Sequence, residues 1–322
     1  MKKLTIKEIA NLAGVSQTAV SFVLNNKPGV SEETRQRVNE VIEQTQFKPS
    51  LNSRRLYFKK SYNISIVIKG ISSPFDNLFY FEIAKGILEK SKEYGYNIVF
   101  TDITVDKNSI NLPEIIRQND TDGIIFFQDT EIRVLSAIDQ LKIPYVVVDG
   151  HTNNTHFTCI NTDSELCAYT ATRYLMSKGH RDIAFICSSF IPDFYLFSFK
   201  GFQKALSEDN LSVPSHWIQG DATDEHTAYL CMQNILSASP KPTAVFCAGD
   251  IFAIGAINCA KENGYNVPSD ISFIGIDDIL LSSYIEPHLT TVRIDKAIMG
   301  AHAMDLLIKK INGETVQSVI VK

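Results

Sequence analysis

The sequence predicts an α/β protein in two parts: an N-terminal all-α helix-turn-helix head, joined by a hinge to a body of two α/β subdomains. Three observations predict it. Charge is divided unevenly, because residues 1–60 hold eleven Lys/Arg against five Asp/Glu, a net of +6, while the other 262 residues hold 20 against 31, a net of −11. Only short helix-period apolar patterns occur before Tyr62, and after it continuous apolar runs alternate with helical stretches. The helix-to-strand junctions of the second part also resemble one another, with glycine at each helix end. The 322 residues suit about two domains.

The head is residues 1–48. Thr5 with Glu8 three residues on makes a capping box, and Ile6, Ile9, Ala10 and Ala13 follow at helical spacing. Gly14, tolerant of positive φ, ends that helix. Ser16 caps a second helix from Gln17 to about Asn25, with Val20, Val23 and Leu24 turned inward. Ser31 caps a third, with Glu32 and Glu33 in its dipole-favoured first turn and Val38, Val41 and Ile42 as its stripe. Pro49 closes the region. Ser50–Leu56 is polar and basic, able to form a turn or two of helix, so residues 49–61 are the hinge.

Residues 62–322 are the body. Ile64–Ile68, Asn97–Phe100, Gly123–Phe127 and Tyr145–Val148 are apolar runs of the kind that suits parallel strands buried on both faces. Ile183–Cys187, Trp217–Gln219, Ala244–Ala248 and Ile271–Ile276 repeat the pattern, and Gly95, Gly179 and Gly264 stand where helices end. Two such series imply two stacked subdomains, about 62–160 plus 292–315 and about 161–291, with a cleft between them. Ligands of such sheets bind beyond the strand carboxyl ends.

Composition excludes other classes. With 44% hydrophobic and 21% charged residues the chain is globular, and a chain this long buries its core without staples. A basic head on an acidic body points to a polyanion partner for the head alone. The six cysteines include no C-x-x-C pair, and most sit in apolar runs, as expected of free thiols in a reducing cytosol. Neither an apolar leader nor a membrane-length apolar stretch is present in the sequence, so a cytoplasmic location is expected. Phosphate-loop, dinucleotide, zinc-protease and nucleophile-elbow motifs are all missing, and no two of the seven histidines lie three or four residues apart. The reading is therefore no enzyme, no cofactor and no metal.

Counted from Ile6 as the first of twenty positions, a helix-turn-helix needs small or apolar residues where this chain has Ile9, Ala10, Ala13, Val15, Val20 and Val23, and glycine where it has Gly14. That leaves Gln17, Thr18, Ser21 and Phe22 on the outer face of the second helix, which such motifs present to the major groove.

The stretches Thr5–Ser16, Val20–Asn25, Val30–Arg35 and Phe47–Ser50 resemble the LacI/GalR family of transcription regulators. The resemblance extends over essentially the whole chain, through Thr121–Ile125, Ser177–Arg181, Lys200–Leu206, Lys241–Phe246, Ile274–Asp278 and Pro287–Val292. It implies a periplasmic-binding-protein-like body with effector-binding and dimerisation roles. It also implies that Gln17 and Thr18 read bases, with Ser21 and Phe22 completing that face. Phe22 offers no hydrogen bond where relatives often carry a polar residue, so an apolar contact to a thymine methyl is expected. Thr5, Ser16, Asn25, Ser31 and Thr34 match phosphate-contacting positions. Leu56 matches a hinge leucine that wedges into the minor groove, and Arg54 belongs to the same DNA-contacting segment.

In the body the resemblance places Phe79, Tyr80, Asp149 and Asp277 at effector-contacting positions. Ser198 stands where many sugar-binding members carry arginine, and Gly249 where they often have asparagine. Phe194–Phe199 is aromatic instead, which points to a less polar or differently shaped ligand than a simple hexose. The expected function is a repressor of carbohydrate-utilisation genes: a homodimer on a pseudo-palindromic operator, controlled by a neutral, hydroxyl-rich small molecule. The alternatives are an enzyme with a fused DNA-binding head and a regulator controlled by a protein corepressor.

Overall fold

The computed structural model describes residues 4–24, 28–45, 47, 60–68, 77–106, 109–128, 130–150, 157–189 and 192–321. The chain divides into two compact units, Met1–Tyr62 and Asn63–Lys322.

In the first unit α1 (Ile6–Ala13), α2 (Gln17–Leu24) and α3 (Glu32–Thr45) enclose a small core of Ile9, Ala10, Ala13, Val20, Val23, Val38 and Phe47. Thr5 starts α1 through the expected capping box: its hydroxyl accepts the Glu8 N–H at 3.3 Å, and Glu8 accepts the Thr5 N–H at 2.7 Å. Gly14 turns the chain at φ 65°, and its N–H satisfies carbonyls of Ala10 and Asn11. Ala10 is small enough to let α2 cross closely. Each fully buried Ile or Val here contributes about 1.5–3 kcal/mol, so the head depends on very few side chains.

The body holds two parallel sheets. Strands β1 (Asn63–Ile68), β2 (Asn97–Thr101), β5 (Gly123–Phe127), β6 (Tyr145–Val148), β7 (Cys159–Thr162) and β13 (Val319–Val321) form the first, in the order β13-β7-β6-β5-β1-β2. A short hairpin of β3 (Thr104–Val105) and β4 (Ile110–Asn111) lies apart from it. Strands β8 (Ile183–Ile186), β9 (Ile218–Gln219), β10 (Ala244–Cys247), β11 (Ser272–Asp277) and β12 (Thr290–Arg293) form the second, in the order β12-β11-β10-β8-β9. The chain order reverses between β1 and β5 and again between β8 and β10. Both reversals open a crevice at the strand carboxyl ends, where α/β sheets bind ligands.

Short helices α5 (Glu114–Arg117) and α6 (Ile132–Leu141) complete the first layer, and three helix pairs cover the sheets. Their crossings share one device. Between α4 (Leu78–Tyr94) and α11 (Lys296–Ile311), Gly86 and Gly300 meet backbone so closely that a Cβ would lie 2.4 Å from Ala297 O and 2.2 Å from Ile83 O. Between α7 (Ser164–Ser177) and α8 (Pro192–Glu208) the glycine is Gly201, 2.1 Å from Glu165 O by the same measure. Between α9 (Glu225–Ser237) and α10 (Asp250–Glu262) it is Gly255, 2.0 Å from Glu225 O. A mid-helix glycine costs about 1 kcal/mol relative to alanine, and here it is what lets two backbones touch.

The structure departs from the sequence reading in detail. Strand β2 is at a sheet edge, with Phe100 37% exposed, so its apolar run is not buried on both faces. Trp217 belongs to a 3₁₀ turn whose indole donates to Pro240 O, and the strand starts at Ile218. Strand β12 pairs within the second sheet and β13 within the first.

Candidate functional site

On the head, Thr5, Ser16, Gln17, Thr18 and Ser31 are exposed and Thr34 is half-buried. Ser16 caps α2, accepting the Ala19 N–H at 3.1 Å, and Ser31 caps α3, accepting the Thr34 N–H at 3.2 Å while donating to the Thr34 hydroxyl at 2.9 Å. These hydroxyls therefore sit at helix N-termini, where backbone N–H groups and the dipole favour an anion such as a phosphate. Two expectations about α2 need correction. Ser21 is 3% exposed, because α2 packs against both α1 and α3 and its inward stripe widens to take in a small residue beside Val20 and Val23. Phe22 is half-buried, its ring against Gly29, where an added Cβ would lie 3.0 Å from it. Gln17 and Thr18 stay on the outer face. Asn25, Arg54 and Leu56 lie outside the described residues.

In the body, a cavity of about 450 Å³ opens between the carboxyl ends of the two sheets. Asp149 follows β6, and its carboxylate accepts the Tyr80 hydroxyl at 2.5 Å. Tyr80, from the first turn of α4, is itself 3% exposed and stacks on Phe127 at 5.2 Å between centroids. Asn77 caps α4 by accepting the N–H groups of Phe79 and Tyr80 at 3.0 and 3.4 Å, and this fixes the first turn that brings both aromatics to the cavity. Asp277 ends β11 on the opposite wall at φ 116°, a strained conformation for any residue with a side chain. Phe194 and Phe252 line the same wall.

Electrostatics make Asp277 the unusual group. Burial pushes its carboxyl well above the usual carboxylate range, and the charges of Asp250 and Asp149 add to this; Lys296 and a backbone bond at Asp250 oppose it. Burial, and then Asp149, likewise push the Tyr80 phenol up. Asp250, fully buried at the start of α10, accepts the Ile279 N–H at 3.0 Å and the hydroxyls of Ser282 and Thr291 at 2.6 Å each. Only glycine at 275 leaves room for it, since a Cβ there would lie 2.1 Å from its Oδ1. Asp250 thereby pins the 3₁₀ turn Leu280–Ser283 and β12 around the end of β11. Lys296, 3% exposed, donates to the main-chain carbonyl of Asp277 and to that of Asp278 at 3.2 Å, and pairs with Glu82 at 3.4 Å.

The cleft thus gathers Phe79, Tyr80, Asp149 and Asp277 but not Ser198. That residue is fully buried in α8 beside the Cys187 thiol and does not line the cavity. It lies one helical turn beyond Phe194, about 6 Å further along α8. Of the aromatic segment only Phe194 reaches the cavity; Tyr195 and Phe199 stack on each other at 5.7 Å and pack on Phe185. Lys200 points elsewhere and pairs with Glu165 at 2.8 Å. Sequence reasoning missed Gln128 and Ser188, although both follow strands and the strand-end rule applies to them equally. It also missed Phe252 and Cys167, whose helical positions carry no such signal. Among the described residues no three His, Cys, Asp or Glu gather as metal ligands, and no helix is long and apolar enough to cross a membrane.

Comparison with known proteins agrees with this architecture. Residues 5–50 match "Bacterial regulatory proteins, lacI family", and residues 172–321 match "Periplasmic binding protein-like domain". A repressor named PurR from Histophilus somni (strain 129Pt) is 33% identical over 313 residues, 96% of this chain and 92% of its own length. Catabolite control protein A of Priestia megaterium is 34% identical over 325 residues, covering 99% and 96%. The solved complex of the transcriptional regulator CelR with cellobiose superposes with a TM-score of 0.71 at 23% identity, covering 99% of this chain and 97% of that one. A helix-turn-helix head on a two-sheet body, matched to such relatives along nearly its full length, makes this chain a member of the LacI family and a DNA-binding transcriptional repressor.

Proposed function

We propose that the chain represses carbohydrate-utilisation genes in the cytoplasm, binding a pseudo-palindromic operator as a homodimer under the control of a sugar-like effector in the cleft. The observation that carries the effector reading is the cavity itself, where Asp149 and Asp277 at two strand ends meet the rings of Phe79, Phe194 and Phe252. Carboxylates accept paired hydroxyl bonds and aromatic faces stack on sugar rings. CelR, which shares the fold and is solved with cellobiose, supports the same reading. On the head we assign Gln17 and Thr18 to base edges and the exposed half of Phe22 to an apolar contact. Thr5, Ser16, Asn25, Ser31 and Thr34 are assigned to phosphates, with Arg54 and Leu56 acting from the hinge at residues 49–61. One such head buries too little DNA for tight specific binding, so two copies and a two-fold site are required.

The test is selection of bound duplexes from a random pool by the full chain, followed by affinity titration in the presence of a sugar panel. A two-fold-symmetric site is expected, with an affinity that one sugar changes by about tenfold or more. A monomer that binds its selected site tightly would overturn the dimer, and turnover of a sugar would overturn the sensor.

A further inference from the structure

The described lining of the cleft carries one sign of charge. Asp149, Asp224 and Asp277 are there, and no described lining residue is Lys, Arg or His. The three carboxylates are not equally provided for. Asp224 caps α9, accepting the N–H and hydroxyl of Thr227 at 2.8 and 2.7 Å. Asp149 accepts the Tyr80 hydroxyl. Asp277 has a backbone bond at Asp250, and against it stand its burial and two neighbouring carboxylates, Asp250 and Asp149. The nearby ammonium of Lys296 is aimed at main-chain carbonyls and is shared with Glu82, so it lies behind Asp277 and not in the cavity.

A neutral sugar leaves that imbalance in place, and an anionic one worsens it. A cationic nitrogen beside Asp277 removes it, because a charge-assisted bond repays the desolvation of the carboxylate and offsets the repulsion from Asp149 and Asp250. The rings of Phe79, Phe194 and Phe252 suit such a ligand as well, since an aromatic face attracts an ammonium group and covers the apolar face of a sugar ring. We propose that the effector carries a protonated amine set against the Asp277 carboxylate, making it an amino sugar or a small amino glycoside. This rests on the cleft being the effector site, as proposed above.

Matched pairs test it on the full chain at pH 7: glucose with glucosamine, galactose with galactosamine, and cellobiose with its diamino analogue. Two readouts are taken, the melting temperature and the rate at which N-ethylmaleimide modifies Cys167. Five of the six cysteines are buried and Cys167 alone is partly open and lines the cavity, so its protection reports occupancy of the cleft. The expected result is that an amine member raises Tm and protects Cys167, binding about tenfold or more tightly than its neutral partner. Asp277→Asn, which suits the same backbone, should erase that preference, each protein's ligand-induced shift being read against its own apo melting temperature. If a neutral sugar binds and protects Cys167 equally well in both forms, the amine is wrong and the cleft reading stands. If an amine raises Tm without protecting Cys167 and ignores Asp277→Asn, the cleft is not its site and both readings fall. Silence across the whole panel overturns the amine.

Discussion

Asp250→Ala should be among the most damaging single substitutions in the body, although Asp250 does not itself line the cleft. Three donors converge on its carboxylate: the Ile279 N–H at 3.0 Å and the Ser282 and Thr291 hydroxyls at 2.6 Å. Leaving a buried donor without an acceptor costs about 1–3 kcal/mol. The full sum is not reached, because the two hydroxyls can rotate toward other acceptors. Removing a carboxylate whose burial already raises its pKa also returns part of its desolvation cost. A net loss of about 3–5 kcal/mol follows, in the range for breaking a buried charged network. At about 2–4 °C per kcal/mol for a unit of this size, Tm falls by about 6–20 °C. Scanning calorimetry of the full chain reads it in the principal transition, and Asp250→Asn, which keeps one acceptor oxygen, should lose less. Gly275→Ala should approach the same loss without touching a donor, because its Cβ would lie 2.1 Å from Asp250 Oδ1. A loss under about 1 kcal/mol for Asp250→Ala would show that these hydrogen bonds are not what holds the end of β11.

Gln17→Ala should relax base preference by about 1–3 kcal/mol at one pair per half-site; an unchanged selected site removes Gln17 from the reading set. Leu56→Ala should weaken specific binding more than non-specific binding, since a wedge contributes only where DNA can be kinked, and equal losses in both would contradict the wedge. Gly201→Ala should destabilise by about 1–3 kcal/mol despite alanine's better helix propensity, because the new Cβ meets backbone at Glu165; unfolding in urea checks the sign. Burial and the neighbouring carboxylates of Asp250 and Asp149 raise the Asp277 carboxyl above its ordinary value, so its contribution to stability is present below the ordinary carboxylate pKa of about 4 and is lost as pH rises through the raised value. Asp277→Asn should therefore gain on the wild type as pH rises through that window, with Asp250, Asp149, Lys296, Tyr80 and Cys167 the groups facing it; a Tm difference independent of pH would refute this.

The strands were legible because a parallel sheet buried on both faces demands unbroken apolar runs, and Gly123–Phe127 and Tyr145–Val148 appear at the predicted residues. The edge position of β2 was not legible, since an apolar run does not say whether a neighbour lies on each side. Capping at Thr5, Ser16 and Ser31 was readable because it depends on residues three apart. Ser21 was misplaced for the opposite reason: its burial depends on two helices packing on α2 at once. Asp149 and Asp277 follow from their positions at strand ends together with the family resemblance. Ser198 follows from alignment to the family alone, and its burial one turn below Phe194 is a property of where α8 lies. The close approaches at Gly86, Gly201, Gly255 and Gly300 were not legible, because their partners are set by pairing of distant segments.

The same cluster that makes Asp277 unusual also lies where the chain passes between subdomains. Lys296 is the first residue of α11, which packs on α4 in the N-subdomain, yet its ammonium holds the carbonyls of Asp277 and Asp278 at the end of a C-subdomain strand. Its ion pair with Glu82 returns to α4, one turn from Phe79 and Tyr80. Under the proposal that the effector bonds Asp277 from one wall and Asp149 from the other, separation of the two walls would break one of these contacts, and that difference is what would let binding shift closure. Reversing a 1:99 preference to 99:1 takes about 5.5 kcal/mol of differential affinity. One neutral hydrogen bond, at about 0.5–1.5 kcal/mol, falls well short of this. A buried charge-assisted pair at Asp277 together with ring contacts from Phe252 or Phe194 comes much closer, so the group that most needs a cation in this cleft is also the one best placed to turn its binding into a change of shape.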